Sequence, residues 1–590
     1  MKNNNIIIGL ICLLLSFGLI GCDDFLHVTS DTKKQANESY KTIEDLRAAT
    51  AYLYTQPWFM FNSNSHHIMD GRANNIDADG TSSTYLTYAM FGENSGTPGL
   101  ENVWNSLYNV ITQSDYVVNK YAVTARQYVD EKSVNACEGE ARFMRGTAYW
   151  YLSMIWHDVP IIDNPEQYVL TPTTHPNPFE DVIQYAINDL MYAAEWLPET
   201  DEKGRVTKYS AEGMLARLYL TAANYAMGNH FSTDYLTRNN VNSNNDLVLD
   251  YFTKAKDLTD NIITSGTQYG LMEDYEELFR VQNNNNKETL FGLQFIPGVS
   301  THGLGNSRQD NLAGSSELTG GLNAWGGGTY GSYDLVHLYQ LDGAKSRMRG
   351  NVFVAGENYS YMGTQTAAGS WTVVKEKCNI KKFIVGSSKD TDGVAINGNT
   401  GLVTPILRMA EIYLMYTEAC MGVADETTDQ LALDRFNEVR ERAFYLNPAD
   451  YTESGKVTRN DLFKERRMEF FLELTTWPDI KRRSFFDMDW ALKYLNNELK
   501  DTNPDTEFTN YIWYAYTFNP DKYPASSGWN NSPRSAGVVP QTAVHQLVSG
   551  SYVHAKDSKS NVWCLPYPQT EADKNPLLNR EPVNYNFLND

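Results

Sequence analysis

Cysteine is scarce in this chain and is never spaced as a metal or redox motif. Six cysteines occur among 590 residues, and no two of them are separated by only two residues. Zinc-binding and thiol–disulfide exchange motifs that depend on such pairs are therefore excluded. The sequence leaves open whether a disulfide joins any two of the cysteines beyond the N-terminal segment, which are Cys137, Cys378, Cys420 and Cys564.

Signatures of catalysis and cofactor binding are lacking as well. The chain has no His-Glu-x-x-His, no Gly-x-Ser-x-Gly and no P-loop sequence. Gly326-x-Gly328-x-x-Gly331 has the spacing of a dinucleotide fingerprint, but residues 318–325 before it do not resemble the hydrophobic strand that this motif requires. We therefore predict no cofactor and no catalytic residue.

Positive charge is also in short supply. The chain carries 49 Lys and Arg against 72 Asp and Glu, which gives a formal net charge of −23. Such a surface repels nucleic acids and anionic lipid headgroups, so neither is expected as a partner. Aromatic residues are abundant instead, with 38 Tyr and 12 Trp. Most of these rings are expected to pack between helices, and the exposed ones suit an amphipathic ligand such as a sugar or a peptide.

The one long apolar run lies at the N-terminus. Ile6 to Ile20 gives fifteen residues, whereas a membrane-spanning helix needs about 20. Lys2 precedes the run, and Leu19-Ile20-Gly21-Cys22 at its end resembles a bacterial lipobox. We predict that residues 1–21 are a lipoprotein signal peptide, and that residues 22–40 form a tether anchored in outer-membrane lipid through acylated Cys22. An ordinary secretory signal with a chance cysteine is the alternative.

Helical periodicity dominates the rest of the chain. In Glu140 to Trp156 the apolar residues recur every three or four positions, so they line one face of a helix. This pattern predicts a mainly α fold built on a scaffold of stacked helical hairpins of the tetratricopeptide type, although the sequence has no clean repeat. Similar stripes predict helices at Val103 to Tyr121, Phe179 to Trp196, Ala211 to Tyr225, Phe252 to Ile263, Ile406 to Met421, Gln430 to Arg442, Asp461 to Leu474 and Met488 to Leu499.

The middle of the chain has a different character. Residues 282–405 contain an Asn run, Gly-rich stretches and one alternating apolar segment, Phe291 to Phe295, which predicts a strand. No low-complexity linker separates this part from its neighbours. We therefore predict a single domain over residues 41–590, with the tetratricopeptide-like helices mainly at 41–281 and 406–499 and a loop-rich, ligand-facing insert between them.

Six ordered blocks of sequence carry a resemblance to a known family. They are Glu140 to Leu152 with the turn His157 to Pro160, Ala211 to Tyr225, Tyr333 to Arg347, Ile406 to Ala419, Asp461 to Arg483, and Leu565 to Pro576. These blocks resemble the signature segments of the SusD/RagB family of outer-membrane nutrient-binding lipoproteins. Residues 474–482 depart from the family pattern, and we interpret the departure as drift in a structural turn.

The resemblance implies a location, a partner and a ligand class. A member of this family is lipid-anchored at the cell outer membrane, faces the exterior, and passes its ligand to a SusC-like TonB-dependent transporter. Asp23-Asp24, directly after the acylated cysteine, is similar to the export signals of such lipoproteins. The implied function is non-catalytic binding of a glycan, and the alternative is binding of an oligopeptide, as in the RagB branch.

Two groups of polar residues have a possible chemical interpretation. Glu465 and Glu469 are one helical turn apart and could form the acid pair of a glycan-acting enzyme, but the interleaved arginines favour a structural ion-pair network. His66-His67-Ile68-Met69-Asp70 and Asp77-Ala78-Asp79 match no known metal-site spacing, so we interpret them as solvated loop residues. We predict neither an enzyme nor a metal site.

Ligand contacts in the resembling family come from variable loops, so the signature blocks do not identify them. We therefore select aromatic residues in polar or loop-rich stretches, together with nearby side chains that could bond hydroxyl groups. Trp325 is the best candidate, whereas Trp104 and Trp150 lie in helical stripes and are predicted to be core. The predicted ligand-binding residues are Trp325, Tyr330, Tyr333, Tyr85, Asp77, Asn306 and Arg308.

Overall fold

The computed structural model describes most of the chain from Tyr40 onwards. The predicted signal peptide and tether, including Cys22, lie outside the described residues, as do Trp325 and Cys378. The division into leader, tether and single domain therefore stays a prediction. The described residues are 40–78, 83–89, 91–170, 172–297, 299, 303–313, 319, 329–354, 358–362, 371–372, 379–386, 390, 399–495, 510–512, 538–540 and 563–587.

Helices dominate these residues, which confirms the mainly α fold class. The first group is α1 (Ile43–Tyr52), α2 (Phe59–His66), α3 (Ser83–Ala89), α4 (Leu100–Tyr116), α5 (Ala122–Ala125), α6 (Glu131–Trp156), α7 (Pro165–Leu170), α8 (Phe179–Trp196), α9 (Lys208–Met227), α10 (Thr233–Arg238) and α11 (Asn244–Ser265). The second is α12 (Arg308–Leu312), α13 (Tyr333–Asp342), α14 (Lys345–Asn351), α15 (Met409–Met421), α16 (Gln430–Ala443), α17 (Arg459–Glu469), α18 (Thr476–Ser484), α19 (Met488–Leu495) and α20 (Gln569–Lys574). Within the described ranges, no helix is both long and apolar enough to cross a bilayer.

Polar side chains fix where the long helices begin. The side chains of Asp130 and Thr207 accept hydrogen bonds from the backbone N–H groups of Ser133 and Ser210, in the first turns of α6 and α9. Such caps satisfy N–H groups that have no partner inside the helix. The spans predicted for α6, α8, α9, α11 and α16 lie within the observed helices, so these predictions are confirmed.

Long helices that follow one another in the chain pack side by side. α4 contacts α6, α6 contacts α8, α8 contacts α9, and α9 contacts α11, which in turn contacts α15. Gly146 allows the close approach of α6 to α8, because a Cβ atom there would lie 3.0 Å from the backbone oxygen of Ala186. This order agrees with the predicted stacking of helices, and the tetratricopeptide character itself stays a prediction.

One antiparallel strand pair lies among the helices. β2 (Thr289–Leu293) confirms the strand predicted near Phe291, and its partner is β6 (Thr404–Arg408). The helix predicted from Ile406 is wrong at its start, because β6 continues to Arg408 and α15 begins at Met409. Every residue of β6 is buried, so its apolar pattern does not distinguish a strand from a buried helix. The other pairs are β1 (Ile76–Ala78) with β3 (Thr329–Gly331), β4 (Asn358–Tyr359) with β5 (Trp371–Thr372), β7 (Glu426–Thr427) with β8 (Val457–Thr458), and β9 (Asn510–Ile512) with β10 (Val538–Pro540).

The chain turns sharply between α17 and α18. α17 ends at Glu469, five residues before the predicted end, because Leu472 and Leu474 adopt φ angles of 62° and 65°. Such left-handed conformations cannot continue a right-handed helix. Residues 474–482, interpreted from the sequence as a drifted turn, mostly belong to helix α18. Asp479 of that helix pairs with Arg466 at 2.7 Å, so the segment is tied back to α17.

Two large apolar cores lie in the described structure. The larger is formed mostly by the helices and includes Trp104 and Trp150, which confirms the prediction that both are core residues. The smaller contains Leu335, Tyr339 and Phe353, from the part predicted to be loop-rich. That part therefore has helices α12, α13 and α14 and contributes most of the smaller core, together with residues from outside it such as Ile76 and Phe471. Cys137, Cys420 and Cys564 are free thiols.

A buried network of ion pairs lies between the two cores. Arg408, at the end of β6, pairs with Glu469 at 3.1 Å and with Glu473 at 2.6 Å. Arg442 of α16 pairs with the same Glu469 at 2.5 Å. Burial raises the pKa of Glu469, but the surrounding arginines Arg442, Arg408 and Arg347 outweigh burial and hold it at about 2. Glu469 is therefore ionised throughout the physiological range.

Glu465 belongs to the same network. Its carboxylate is buried, pairs with Arg347, and lies 3.0 Å from Nη1 of Arg440. The predicted structural ion-pair network is therefore confirmed for both glutamates. The pair is not exposed to solvent as a substrate cleft would require.

Replacing Glu465 by Gln should destabilise the protein strongly. The amide keeps the shape of the side chain but leaves buried arginines with less countercharge, and breaking a buried pair in this way costs about 3 kcal/mol of unfolding free energy. Urea denaturation measures this loss. The control is Glu441→Gln at an exposed position of α16, where we expect a change below about 0.5 kcal/mol. Unchanged stability with lost glycan hydrolysis would instead make Glu465 catalytic.

Candidate functional site

Three of the predicted binding residues meet at one end of the smaller core. β1 and β3 pair so that Asp77 lies opposite Tyr330. Tyr333 is the first residue of α13, whose start is capped by the Ser332 hydroxyl accepting the N–H of Leu335 at 3.3 Å. Residues about 250 positions apart in the chain are thus brought together by a short sheet. We call this region the β1–β3 end. The side chains of Asp77 and Tyr333 lie outside the described part of the structure.

Asn306 joins the segments before α12 and β6 to helix α2. Its side-chain oxygen accepts a hydrogen bond from Nδ2 of Asn62 at 2.9 Å, and its own Nδ2 donates to the backbone oxygen of Leu402 at 2.7 Å. The hydroxyl groups of Ser63 and Ser307 lie 2.9 Å apart beside this contact. Asn306 is buried, so its amide groups are used to hold the segments before β6 and α12 against α2.

Arg308 is buried in the same region and is only partly satisfied. Its Nη2 donates to the backbone oxygen of Leu472, and its guanidinium carbon lies 4.3 Å from the centroid of the Phe383 ring. Nε and Nη1 have no hydrogen-bond partner among the described residues. Burial lowers the pKa of Arg308 to about 10, so the group remains a cation at neutral pH.

Three aromatic rings lie together beside Arg308: His66 and His67 are stacked, and Tyr85 is tilted against them. The ring centroids of His66 and His67 are 4.4 Å apart, and His67 lies 4.1 Å from Tyr85. Both nitrogens of His66 and the hydroxyl of Tyr85 lack a hydrogen-bond partner in the described part of the chain. Burial lowers the pKa of His67 to about 4 and that of His66 well below its usual value. The histidines are therefore neutral at pH 7.

Asp70 links this stack to the turn after α17. Its Oδ1 accepts hydrogen bonds from the backbone N–H of Leu472 at 3.0 Å and from Nδ2 of Asn75 at 3.1 Å. Burial raises the pKa of Asp70 to about 6. The left-handed conformation of Leu472 lets its N–H reach Asp70 while its carbonyl accepts from Arg308. Non-glycine residues in this conformation are uncommon and cluster at functional sites.

The interpretation of His66, His67 and Asp70 as solvated loop residues is wrong. All three are buried, at the end of α2 and in the π-helical turn His67–Gly71. Within the described ranges, no group of three or more His, Cys, Asp or Glu residues is placed to hold a metal ion. The chemistry available to this cluster is hydrogen bonding, because Arg308, Tyr85 and His66 retain polar atoms that could bond oxygen atoms.

The predicted binding residues thus fall into three groups. Tyr85, Tyr330, Asn306 and Arg308 are buried, Asp77 and Tyr333 are placed at the β1–β3 end by their backbone, and Trp325 precedes β3 outside the described residues. Their role as ligand contacts stays a prediction. Sequence reasoning missed the importance of His66 and His67. The sequence signal for these residues was the composition of α2, because polar residues occur on every face of this helix.

Family comparisons agree with this architecture along nearly the whole chain. The family model described as the SusD family matches residues 287–585. A second model, described as "Starch-binding associating with outer membrane", matches residues 24–220. The two matches together include α1 to α20 apart from α10, α11 and the C-terminal part of α9. These matches place the chain in the SusD/RagB class of proteins.

Comparison with individual relatives also places the chain in this class. A SusD-like protein from Bacteroides ovatus is 32% identical over 601 aligned residues, which cover 100% of this chain and 99% of that protein. SusD-like protein P2 from Formosa agariphila is 26% identical and covers 80% of this chain and 90% of its own length. The chain therefore belongs to the SusD family.

Solved structures share this fold over most of the length of the chain. One that was determined with xylogluco-oligosaccharide is 30% identical, covers 92% of this chain and 99% of its own, and has a TM-score of 0.72. A SusD superfamily protein from Parabacteroides distasonis is 17% identical, with a TM-score of 0.60 over 91% of this chain and 98% of its own. The second likeness shows the fold alone.

The buried histidine stack should make the protein sensitive to mild acid. His67 has a pKa of about 4 when folded, and a histidine in an unfolded chain has a pKa near 6.5. The unfolded state therefore binds the extra proton first, so the contribution of His67 to stability is complete above pH 6.5 and is lost as the pH falls towards 4.

A His67→Phe variant isolates this contribution because the phenyl ring keeps the stack but binds no proton. Between pH 6 and pH 4.5 the wild type should lose about 1.4 kcal/mol of unfolding free energy per pH unit more than the variant. Denaturation curves at each pH measure the difference, and the difference at pH 7.5 gives the packing cost to be subtracted. Parallel pH profiles would show that His67 is not buried as a neutral group.

Proposed function

We propose that this protein is a cell-surface glycan-binding lipoprotein. The observation that carries the proposal is the match to the structure solved with xylogluco-oligosaccharide, which is 30% identical and spans 92% of this chain. The description of the matching N-terminal family model, starch-binding in association with the outer membrane, supports the same ligand class and location. Neutral glucan chains are therefore the first ligands to test.

The β1–β3 end is the proposed place of glycan capture. Trp325 lies four residues before β3 in the chain, and Tyr333 lies two residues after it. Aromatic rings provide the flat apolar surface that the C–H faces of a sugar need, and such contacts contribute on the order of 1 kcal/mol each. The buried Asn306 and Arg308 would act beneath this surface by fixing the backbone segments that present it.

The remaining parts of the proposal concern anchoring and delivery. Acylation of Cys22 holds the protein at the outer membrane facing the exterior, and residues 22–40 form the tether between the lipid and α1. The protein passes its glycan to a SusC-like TonB-dependent transporter without cleaving it. The involvement of Glu465 and Glu469 in buried ion pairs supports a binding role, because neither carboxylate is free to serve as an acid or nucleophile.

Replacing Trp325 by Ala should remove most glycan affinity. A central aromatic contact commonly contributes 2 kcal/mol or more, so the dissociation constant should rise about 30-fold. Isothermal titration of residues 23–590 with xylogluco-oligosaccharide and malto-oligosaccharide measures the effect, after an array of plant, microbial and host glycans has been screened. The control is Trp196→Ala, a half-buried tryptophan on α8, which should leave the affinity unchanged.

The same experiment decides between the two ligand classes. An array that includes mixed oligopeptides will favour the RagB-like alternative if peptides are retained and all glycans fail. Equal loss of affinity in Trp325→Ala and Trp196→Ala would reject the proposed place of capture without rejecting glycan binding.

Replacing Cys22 by Ser should abolish lipid anchoring. Serine offers no thiol for acylation, and without buried acyl chains, each CH₂ of which contributes about 0.8 kcal/mol, the protein has no membrane anchor. Membrane fractionation and metabolic labelling with a fatty-acid analogue measure the change, with Cys137→Ser as the matched control in the folded domain. A variant at Cys22 that stays labelled and membrane-bound would contradict the lipoprotein assignment.

A further inference from the structure

A second cleft lies on the helical scaffold, away from the predicted binding residues. Its volume is about 470 Å³, within the range of pockets that bind small molecules. Helix α4 forms one wall, the segment 160–174 forms another, and residues 571–578 near the C-terminus close it. We call it the α4 groove. It shares no residue with the predicted ligand-binding set.

The α4 groove has an aromatic lining that the fold holds in place. Trp104 packs edge-on against Trp156, with ring centroids 5.0 Å apart. The hydroxyl of Tyr108 donates to the backbone oxygen of Pro160 at 2.9 Å, and that of Tyr168 donates to the backbone oxygen of Ile161 at 3.2 Å. The polar ends of both tyrosines are thereby used inside the protein, so their contribution to the groove is the ring.

Polar side chains that make no hydrogen bond to the described residues lie beside these rings. Asn105, Asn109 and Thr112 recur at intervals of four and three residues on α4, so they share one face of the helix. The side chains of all three make no hydrogen bond or other polar contact within the described part of the protein. Each carboxamide offers two donors and two acceptor positions, and the threonine hydroxyl can do both. This is the combination that the hydroxyl groups of a sugar require.

Charge in the α4 groove is balanced locally. Its charged lining residues are Glu571 and Lys574, and they pair with each other at 2.8 Å. A groove that selected an anionic or cationic ligand would present an unpaired charge of the opposite sign. The lining therefore favours an uncharged ligand.

The walls also discriminate against an extended peptide. Peptides held by strand addition need a row of free backbone N–H and C=O groups, whereas the backbone groups of α4 are used within the helix. Pro160, Pro165 and Pro172 line the opposite side, and proline has no N–H to donate. Backbone recognition is thus weak on both sides, and side-chain amides supply the hydrogen bonds.

We infer that the α4 groove is a second carbohydrate site that binds a short neutral oligosaccharide, with the half-buried rings of Tyr108 and Tyr168 against the sugar and Asn105 and Asn109 bonded to its hydroxyls. This inference rests on the proposed function, since it assigns a further site to a glycan-binding protein. A second site on the rigid scaffold would raise the avidity for a long chain held at the β1–β3 end.

The test uses the mature chain, residues 23–590, carrying Trp325→Ala to weaken the first site. Xylogluco-oligosaccharide and malto-oligosaccharide are titrated against it by saturation-transfer NMR, which detects weak binding. In that background, a derivative that carries both Asn105→Ala and Asn109→Ala is compared with a derivative that carries Asn102→Ala alone. Asn102 lies on the same helix but does not line the groove, and alanine is favourable in a helix, so all the variants should fold.

We expect residual binding in the Trp325→Ala protein and in its Asn102→Ala derivative. The Asn105→Ala, Asn109→Ala derivative should bind about tenfold more weakly, as the loss of two modest hydrogen bonds predicts. Equal binding by both derivatives would overturn the groove assignment. So would complete loss of binding in Trp325→Ala alone. If the unmutated protein bound neither glucan but bound another glycan, the groove experiment would be repeated with neutral fragments of that glycan under the same criteria. Failure of the unmutated protein to bind any glycan would reject the proposed function itself.

Discussion

The arrangement of the whole protein depends on a buried cluster of arginines and glutamates between its two apolar cores. Glu469 sits at the end of α17 and is contacted by Arg408 from β6 and Arg442 from α16. Flanking residues of the same turn divide between the cores, since Phe470 belongs to the larger and Phe471 to the smaller. Buried ion pairs add little net stability compared with apolar packing, but an unpaired member is very costly. The cluster therefore acts mainly by excluding any other arrangement of these elements.

The same constraint reaches the proposed glycan-binding end. The turn after α17 contains Leu472 and Glu473. Glu473 belongs to the ion-pair cluster, and the backbone groups of Leu472 bond Asp70 and Arg308. Arg308 opens α12, and α12 contacts both α2 and β3. The position of β3 is thus linked to the centre of the protein by buried polar contacts. Apolar packing alone would leave this end free to slide, because dispersion and burial have little directional preference.

How far the sequence predicted the structure depends on which force decided each element. The long helices were predictable because their apolar stripes are local, but their starts were not: α6 begins at Glu131, nine residues before the predicted span from Glu140. β6 was not, because its pairing partner β2 is more than 100 residues away and both faces are buried. Glu465 and Glu469 were correctly predicted as structural from the arginines around them. His66 and His67 were not predicted to be buried, since burial of polar side chains depends on tertiary partners that local sequence does not reveal.

The two proposed carbohydrate surfaces are fixed by different parts of the structure, and this difference determines what each surface can contribute to binding. The α4 groove is completed by the C-terminal segment, which is fixed by hydrogen bonds from Leu565 N–H to Ile155 and from the Tyr567 hydroxyl to Asp158. A preformed site of this kind loses little conformational entropy on binding. Its polar side chains are uncharged or, in Glu571 and Lys574, paired with each other, so it favours neutral sugars without a free charge to select among them. Selection then falls to the β1–β3 end, where the chain before β3 differs in sequence from the helical scaffold and is rich in glycine around Trp325. Under this proposal, retention by the helical scaffold and selection by the segments around β3 are separate tasks carried by separate surfaces.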